Sequence, residues 1–431
     1  MPSYGGNDMS LQNTPASERV HIAFFGRRNA GKSSLINAVT GQELSVVSDV
    51  AGTTTDPVYK TMELLPIGPV VIIDTPGYDD EGNLGELRVK KTRQVLNRTD
   101  CGILVVDATV GMGECEKTLV ELFKERKLPY LVVWNKADAE PKNDFIGDFE
   151  DITGHAGMQS GQNETVYNIG STPFLVSAKT GTGIYELKER IGALLQRSEE
   201  ERRLIGDKIA PGDVAVLVVP IDEAAPKGRL ILPQQQTIRD ILDAEGMPIV
   251  VKDTSLSGAF SAIAKAPAMV ITDSQVFGKV AKQVPAEVPL TSFSILMARY
   301  KGFLSTAVEG VRILETLQDG DKVLISEGCT HHRQCGDIGT VKLPAMIRKF
   351  TGKEPEFVFT SGKDFPEDLT GIRLVIHCGG CMLTERDLSY RKKTAEDEGV
   401  PFTNYGIVLA HMNGILERSV AMFPEVAELL R

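Results

Sequence analysis

The segment Gly26-Arg27-Arg28-Asn29-Ala30-Gly31-Lys32-Ser33-Ser34 sets glycines, a lysine and hydroxyls in the spacing GxxxxGK[ST], between an apolar run and a helical one. Glycines let backbone N–H groups curl around phosphate oxygens, and a helix N-terminus adds a favourable dipole. Lys32 is expected to reach β- and γ-phosphates, and the Ser33 hydroxyl to bind Mg2+. Asp74-Thr75-Pro76-Gly77 ends another apolar run, where Asp74 can hold Mg2+ through water and the Gly77 N–H can meet a γ-phosphate. Asn135-Lys136-Ala137-Asp138 ends a third, and the Asp138 carboxylate can accept both N–H donors of guanine. Adenine lacks those donors, and polar readout of this kind discriminates by roughly 10^4-fold. Ser177-Ala178-Lys179 can offer a backbone N–H to the guanine oxygen, and Gly52-Thr53-Thr54-Thr55-Asp56 a threonine to Mg2+. Together these five elements imply binding of GTP with Mg2+, with Lys32, Thr54, Asp74 and Gly77 nearest the chemistry.

A second group lies near the other end: Cys329-Thr330-His331-His332-Arg333-Gln334-Cys335, and later His377-Cys378-Gly379-Gly380-Cys381. Each follows a run with strand character, Asp321–Ser326 and Arg373–His377. Parallel strands would deliver both to the carboxyl edge of one sheet, where α/β folds place their sites. Glycines 379 and 380 let the backbone approach a bound ion or cluster. Four readings stand on spacing. Three thiolates with an exchangeable fourth position suit a [4Fe–4S] cluster, and Cys3His suits structural zinc. A CxxC between strand and helix suits a thioredoxin-like dithiol, and buried thiols need no ligand at all. Cys101 and Cys115 are expected to be packed, His332 either to face the site or to be exposed, and His377 to be either a site residue or a satisfied core histidine. His21, His155 and His411 carry no signal, and Arg27 and Arg28 are expected to face solvent.

The elements that must position these residues read as three βα series. Strand runs His21–Phe25, Val70–Asp74, Gly102–Asp107, Tyr130–Asn135 and Pro173–Ser177 alternate with helical stretches such as Lys32–Val39 and Ile184–Leu195, which implies a parallel sheet with helices on both faces. The charged run Ser198–Arg203 reads as a helix end and linker. A second series has strands Val214–Pro220, Ile249–Lys252, Met269–Thr272 and Pro289–Phe293, with helices over Gln234–Ala244, Leu256–Lys265 and Ser274–Gln283. A third has strands Asp321–Ser326, Phe357–Thr360 and Arg373–His377, with helices over Ala345–Phe350, Glu385–Glu398 and Tyr405–Leu430. No internal repeat is evident.

The chain has 431 residues, 42% hydrophobic and 24% charged, too long for one ordinary core. Its apolar runs fall short of the roughly 20 residues of a membrane span. The N-terminal residues lack the basic and apolar regions of a signal peptide, so a cytoplasmic chain without membrane attachment is expected. The formal charge of −11 argues against general affinity for nucleic acid. Six cysteines in such a compartment read as ligands, redox groups or packed thiols rather than a disulfide scaffold.

The nucleotide elements resemble the GTPase superfamily, in the branch that includes tRNA-modification and ribosome-assembly GTPases. That resemblance makes Thr54 the Mg2+ ligand, with Thr55 standing where the branch carries arginine. It places Asn29 where potassium-activated members hold K+ against the phosphates. Tyr78 stands where many signalling GTPases carry a water-orienting glutamine, so unassisted turnover should be slow. A GTPase domain followed by CxH and then HCxxC resembles, over the whole chain, the di-iron hydrogenase maturation GTPase family, HydF. The resemblance implies an α/β chain: an N-terminal P-loop GTPase domain followed by two further α/β domains with mainly parallel sheets. It divides into a disordered tail (1–18), a GTPase domain (19–200), a dimerisation domain (207–300) and an iron–sulfur domain (301–431). It further implies that Cys329, Cys378 and Cys381 ligate a [4Fe–4S] cluster, with His331 the candidate fourth ligand and Cys335 outside the family pattern. The implied partners are a second copy, two radical-SAM maturases that supply a two-iron precursor, and an apo-hydrogenase that receives it. An RNA- or ribosome-associated GTPase with a zinc-binding C-terminal module is the alternative, disfavoured by the acidic balance and the absence of a basic, aromatic-interleaved stretch. A redox-regulated GTPase switch is a third possibility.

Overall fold

The computed structural model describes residues 15–42, 57–78, 91–140, 174–196, 203–221, 230–328, 338–362 and 364–430. The chain divides into two compact units, Met1–Glu200 and Glu201–Arg431. Of the tail expected over 1–18, residues 1–14 lie outside the described residues, and Ala16–Glu18 form a 3-10 turn.

The first unit holds β1 (Val20–Phe25), α1 (Lys32–Thr40), β2 (Val58–Leu64), β3 (Gly68–Asp74), β4 (Cys101–Asp107), α2 (Glu114–Glu125), β5 (Tyr130–Asn135), β6 (Phe174–Leu175) and α3 (Ile184–Gln196). The sheet runs β2-β3-β1-β4-β5-β6 and is parallel except for β2, which pairs antiparallel with β3. Central strands read as unbroken apolar runs because both faces are covered. Ile22, Phe24, Ile103 and Val105 pack on one face with Leu35 of α1 and Leu187 of α3. Their neighbours Ala23, Phe25, Leu104 and Val106 pack on the other with Leu119 and Phe123 of α2. The sequence reading missed β2, an edge strand whose buried residue is Leu64 while Lys60, Thr61 and Glu63 face outward.

The second unit begins with β7 (Val214–Val218), α4 (Leu232–Asp243), β8 (Met247–Val251), α5 (Leu256–Ala262), β9 (Met269–Thr272), α6 (Phe277–Ala281), β10 (Leu290–Ser292), α7 (Phe293–Tyr300) and α8 (Leu304–Gly310). It continues with β11 (Lys322–Glu327), α9 (Leu343–Thr351), β12 (Glu356–Ser361), β13 (Ile372–His377), α10 (Glu385–Asp397), β14 (Phe402–Asn404), α11 (Tyr405–Met412) and α12 (Leu416–Val420). The helix expected over Tyr405–Leu430 is broken at Gly414, which adopts φ 65°, and again before Pro424. A left-handed glycine and a helix-starting proline are ordinary stops.

The two sheets of this unit run β10-β9-β7-β8 and β14-β13-β11-β12, all parallel, so both have the strand order fourth-third-first-second. They are a repeat, contrary to the sequence reading. The segment VPLTSFSILMARYKGFL from Val288 aligns with VPFTNYGIVLAHMNGIL from Val400. The turns agree as well. The Gly212 N–H donates to Glu245 O and the Gly320 N–H to Glu354 O, both at 3.0 Å. The Val270 N–H donates to Pro289 O at 2.8 Å and the Val375 N–H to Pro401 O at 2.9 Å. Outside the aligned segment the likeness lies in register and turns rather than residue identity.

Each repeat closes the other. α8 packs on β14 and α12 on β10, while the equivalent helices α7 and α11 pack together. Thr403 donates to Ala307 O at 2.8 Å, and Gly310 lies so close to the Phe402 backbone that a side chain could not fit. Arg418 of α12 donates to the carbonyls of Val284 and Val288. One buried apolar cluster therefore runs from Leu204 to Val426 through both sheets, so the two segments expected as separate domains share a core. Among the described residues, no helix is long and apolar enough to cross a membrane.

Candidate functional site

The phosphate loop forms where β1 stops and α1 starts. Gly26 (φ 139°) lies against the Val105 carbonyl and Gly31 (φ 87°) against the Asn135 amide, and at either position a β-carbon would collide. Asn29 also takes a positive φ, 63°, a conformation asparagine tolerates better than most residues. Lys32 is buried, its ammonium donating to Gly26 O (3.0 Å) and Arg27 O (2.8 Å). Ser33 donates to the Asp74 carboxylate at 2.7 Å, which brings the two expected Mg2+-side groups together. Gly77 abuts the Arg28 backbone, where a β-carbon would meet Arg28 N at 2.8 Å. Ala30 is buried and Ser34 half-buried on the first turn of the helix.

The base-reading elements meet at the next strands. Asn135 is 2% exposed; its amide donates to Ala30 O (3.1 Å) and its carbonyl oxygen accepts the Ala178 N–H (3.0 Å). It thereby ties the phosphate loop to the Ser177–Lys179 turn. The Ser177 hydroxyl donates to Asp138 Oδ1 at 2.7 Å and Lys179 lies 3.8 Å from its other oxygen. The Ser177 bond holds the Asp138 carboxyl below the ordinary carboxylate range, with Lys179 adding to it, so it is an acceptor at neutral pH. Lys136 forms an ion pair with Asp107 at 2.6 Å. Burial raises the Asp107 pKa, but the Lys136 bond and those from Thr109 outweigh it and the net shift is downward.

Sequence reading missed Glu116. This carboxylate is 2% exposed and takes both Arg27 Nε and Nη2 at 2.6 Å, as well as the Gly113 N–H at 2.9 Å. Arg27 is therefore engaged by α2 rather than simply facing solvent, while Arg28 is exposed. The only sequence signal was a glutamate in the first turn of a helix. Cys101 is fully buried as expected, and Cys115 donates to Tyr78 O. Thr54, with the rest of the Gly52–Asp56 loop, and His155 lie outside the described residues.

The cysteine turn follows β13. Cys378 and Cys381 pack half-buried against the unit's core. The Cys378 N–H donates to Ser326 O at 3.0 Å, which fixes the turn to β11. Cys378 Sγ accepts N–H bonds from Gly328 (3.0 Å) and Gly380 (3.4 Å). A sulfur facing two backbone donors is placed for thiolate charge, and Gly328 is the residue before Cys329. The described part thus fits a thiolate-held metal centre. Cys329, His331, His332 and Cys335 lie outside the described residues, and among the described ones no three His, Cys, Asp or Glu side chains converge on a metal position.

His377 is a core histidine. It is fully buried; Nδ1 bonds the Cys378 carbonyl at 2.7 Å, and Nε2 meets the Arg391 guanidinium at 3.0 Å. A carbonyl can only accept and a guanidinium only donate, so the ring is neutral with its proton on Nδ1 and both nitrogens engaged. Burial, then the Arg391 charge, push its pKa down to about 3.

Three family models match: the Hydrogen maturase F dimerization domain over residues 204–302, the Hydrogen maturase F tetramerization domain over 305–422, and the 50S ribosome-binding GTPase model over 21–136. GTPase Der of Clostridium botulinum is 32% identical over 191 residues, covering 42% of this chain and 39% of that protein. The tRNA modification GTPase MnmE of Psychrobacter arcticus is 33% identical over 193 residues, covering 43% and 38%. This chain therefore matches well under half of each curated relative's length. Among solved structures, Aquifex aeolicus Era is 22% identical over 54% of this chain and 94% of that one, with TM-score 0.35. With an N-terminal P-loop GTPase domain joined to both maturase domains, the chain belongs to the hydrogen maturase F, or HydF, family.

Proposed function

We propose that the protein is a GTP-hydrolysing scaffold that assembles the two-iron subcluster of [FeFe]-hydrogenase and carries it to the apo-enzyme. The observation that carries this reading is the union in one chain of a nucleotide loop and the two maturase domains, with Cys378 held beside the residue that precedes Cys329. In the nucleotide site, Ser33 and Thr54 would ligate Mg2+ and Asp74 would hold it through water, while Asp138 reads guanine. Lys32, now shared between loop carbonyls, would transfer its donors to the β- and γ-phosphates, stabilising charge that develops there. Asn29 at the loop's exposed turn is the candidate K+ ligand. Cys329, Cys378 and Cys381 would hold a [4Fe–4S] cluster, with His331 a labile fourth ligand. Such a cluster would supply an exchangeable iron corner, while the chain's own part is to fix the turn and present its thiolates. The two radical-SAM maturases and the apo-hydrogenase are the partners of this reading, and a second copy of the chain completes a homodimer.

Anaerobic purification followed by iron, sulfide and zinc analysis tests the cluster, and serine at any one of the three cysteines should remove iron–sulfur absorption while leaving GTP hydrolysis largely intact. A colourless zinc protein would sink the reading. GTP turnover should run several-fold faster in KCl than in NaCl at equal ionic strength, and Asn29→Ala should abolish the difference.

A further inference from the structure

The repeat provides an internal control for the cysteine turn. Register equates the row Asn404, His377, Ser326 and Thr360 of the second sheet with Ser292, Thr272, Val218 and Val251 of the first. The residue after the third strand is then Cys378 in one repeat and Asp273 in the other. The same backbone bond fixes both: Cys378 N–H to Ser326 O at 3.0 Å, and Asp273 N–H to Val218 O at 3.2 Å. Even the bond to the turn's carbonyl recurs, from His377 to Cys378 O and from Thr272 to Asp273 O.

What differs is the interior behind the turn. In the second repeat Arg391, only 2% exposed, donates to His377 Nε2 (3.0 Å), Ser326 Oγ (3.1 Å) and Gly362 O (2.6 Å). In the first repeat the corresponding helix, α6, buries Phe277 and Val280, and Val218 replaces the serine. A guanidinium is among the costliest groups to bury and is retained only where hydrogen-bonded or paired. The same fold is built next door without it. The buried Arg391–His377–Ser326 network is thus not required by the strand order or by the turn.

We propose that Arg391 and His377 are positioning residues for the cysteine centre. Arg391 places fixed positive charge behind the turn and, through the His377 ring, holds the Cys378 carbonyl, so that Cys378 Sγ meets its two N–H donors at one orientation. The chemistry this favours is an anionic, thiolate-ligated iron–sulfur centre, so the proposal rests on the reading that these cysteines bind one. Hydrogen bonds and net charge around such clusters set their potentials, and partners that orient metal ligands govern retention.

The test compares parent full-length protein with Arg391→Lys and with the triple variant His377→Thr, Ser326→Val and Arg391→Met, which copies the first repeat's strand residues and removes the buried charge. Each is reconstituted anaerobically with ferrous iron and sulfide. The triple variant should unfold as apo-protein near the parent's temperature yet lose cluster iron to a chelator about 10- to 100-fold faster. Its midpoint potential should move to more negative values and its reduced EPR spectrum should change. Arg391→Lys, which keeps the charge but not the fork, should recover most of the potential and only part of the retention. A parent that binds iron, with both variants matching it in retention, potential and EPR, overturns the proposal alone. A parent that binds no iron overturns the cluster reading and the proposal with it.

Discussion

Asp138 shows how neighbours fit one residue for its task. The Ser177 hydroxyl binds one carboxylate oxygen and Lys179 approaches the other, so the group stays ionised with lone pairs to offer. Replacing it by asparagine exchanges a double acceptor for one acceptor and one donor. Asp138→Asn should weaken GTP relative to xanthosine triphosphate, shifting preference by roughly a hundredfold or more. Competition between the two nucleotides for a fluorescent GDP analogue checks this, and an unchanged preference for guanine would remove Asp138 from the base site. Glu116 poses the opposite case, a buried carboxylate whose partner Arg27 belongs to the phosphate loop. Its pairing spans distant parts of the chain and left no local pattern to read.

Elements were legible where the signal is local. The turn from β1 to α1 was readable because its glycines and lysine are adjacent in sequence, and the cysteine turn because each segment follows an apolar strand. β14 was not, because three residues, Phe402 to Asn404, carry no period. The repeat escaped for a related reason: apart from the aligned segment, it is conserved as register and turn bonds. The last strands of the two repeats end in N-caps that can be compared directly. Ser292 accepts the Ile295 N–H at 3.3 Å; Asn404 accepts the Ile407 N–H at 2.9 Å and also donates to Ser294 O at 3.1 Å. Ser292→Ala should cost about 1 kcal/mol, the ordinary worth of a cap. Asn404→Ala loses a cap and a second bond, the one to the Ser294 carbonyl, for about 2 kcal/mol in all. Urea melts should show both as lower midpoints at unchanged slope, and the reverse order would mean that the Asn404 amide bond contributes nothing.

At the scale of the molecule, the exchange of covering helices decides which sheet edges remain for partners. α8 and α12 cover β14 and β10, so the other edges of the two sheets, β8 and β12, are the ones left for pairing with another copy. An edge strand offers unpaired N–H and C=O groups, and soluble monomers usually guard such an edge with charge. β8, Met-Pro-Ile-Val-Val, carries no charge, and its Met247 and Val250 stand 50% and 42% exposed. It also lies inside the segment matched by the dimerization model, whereas β12, with Phe359 at 39% exposure, lies inside the one matched by the tetramerization model. Val250→Lys should therefore dissociate the full-length protein to monomers at micromolar concentration, because a lysine at an apolar interface must be desolvated without a partner. Phe359→Lys should reduce any larger assembly and leave the dimer. Light scattering distinguishes these results, with circular dichroism to show that each variant is folded. A folded Val250→Lys protein that stays dimeric would place the dimer contact on another surface of the unit.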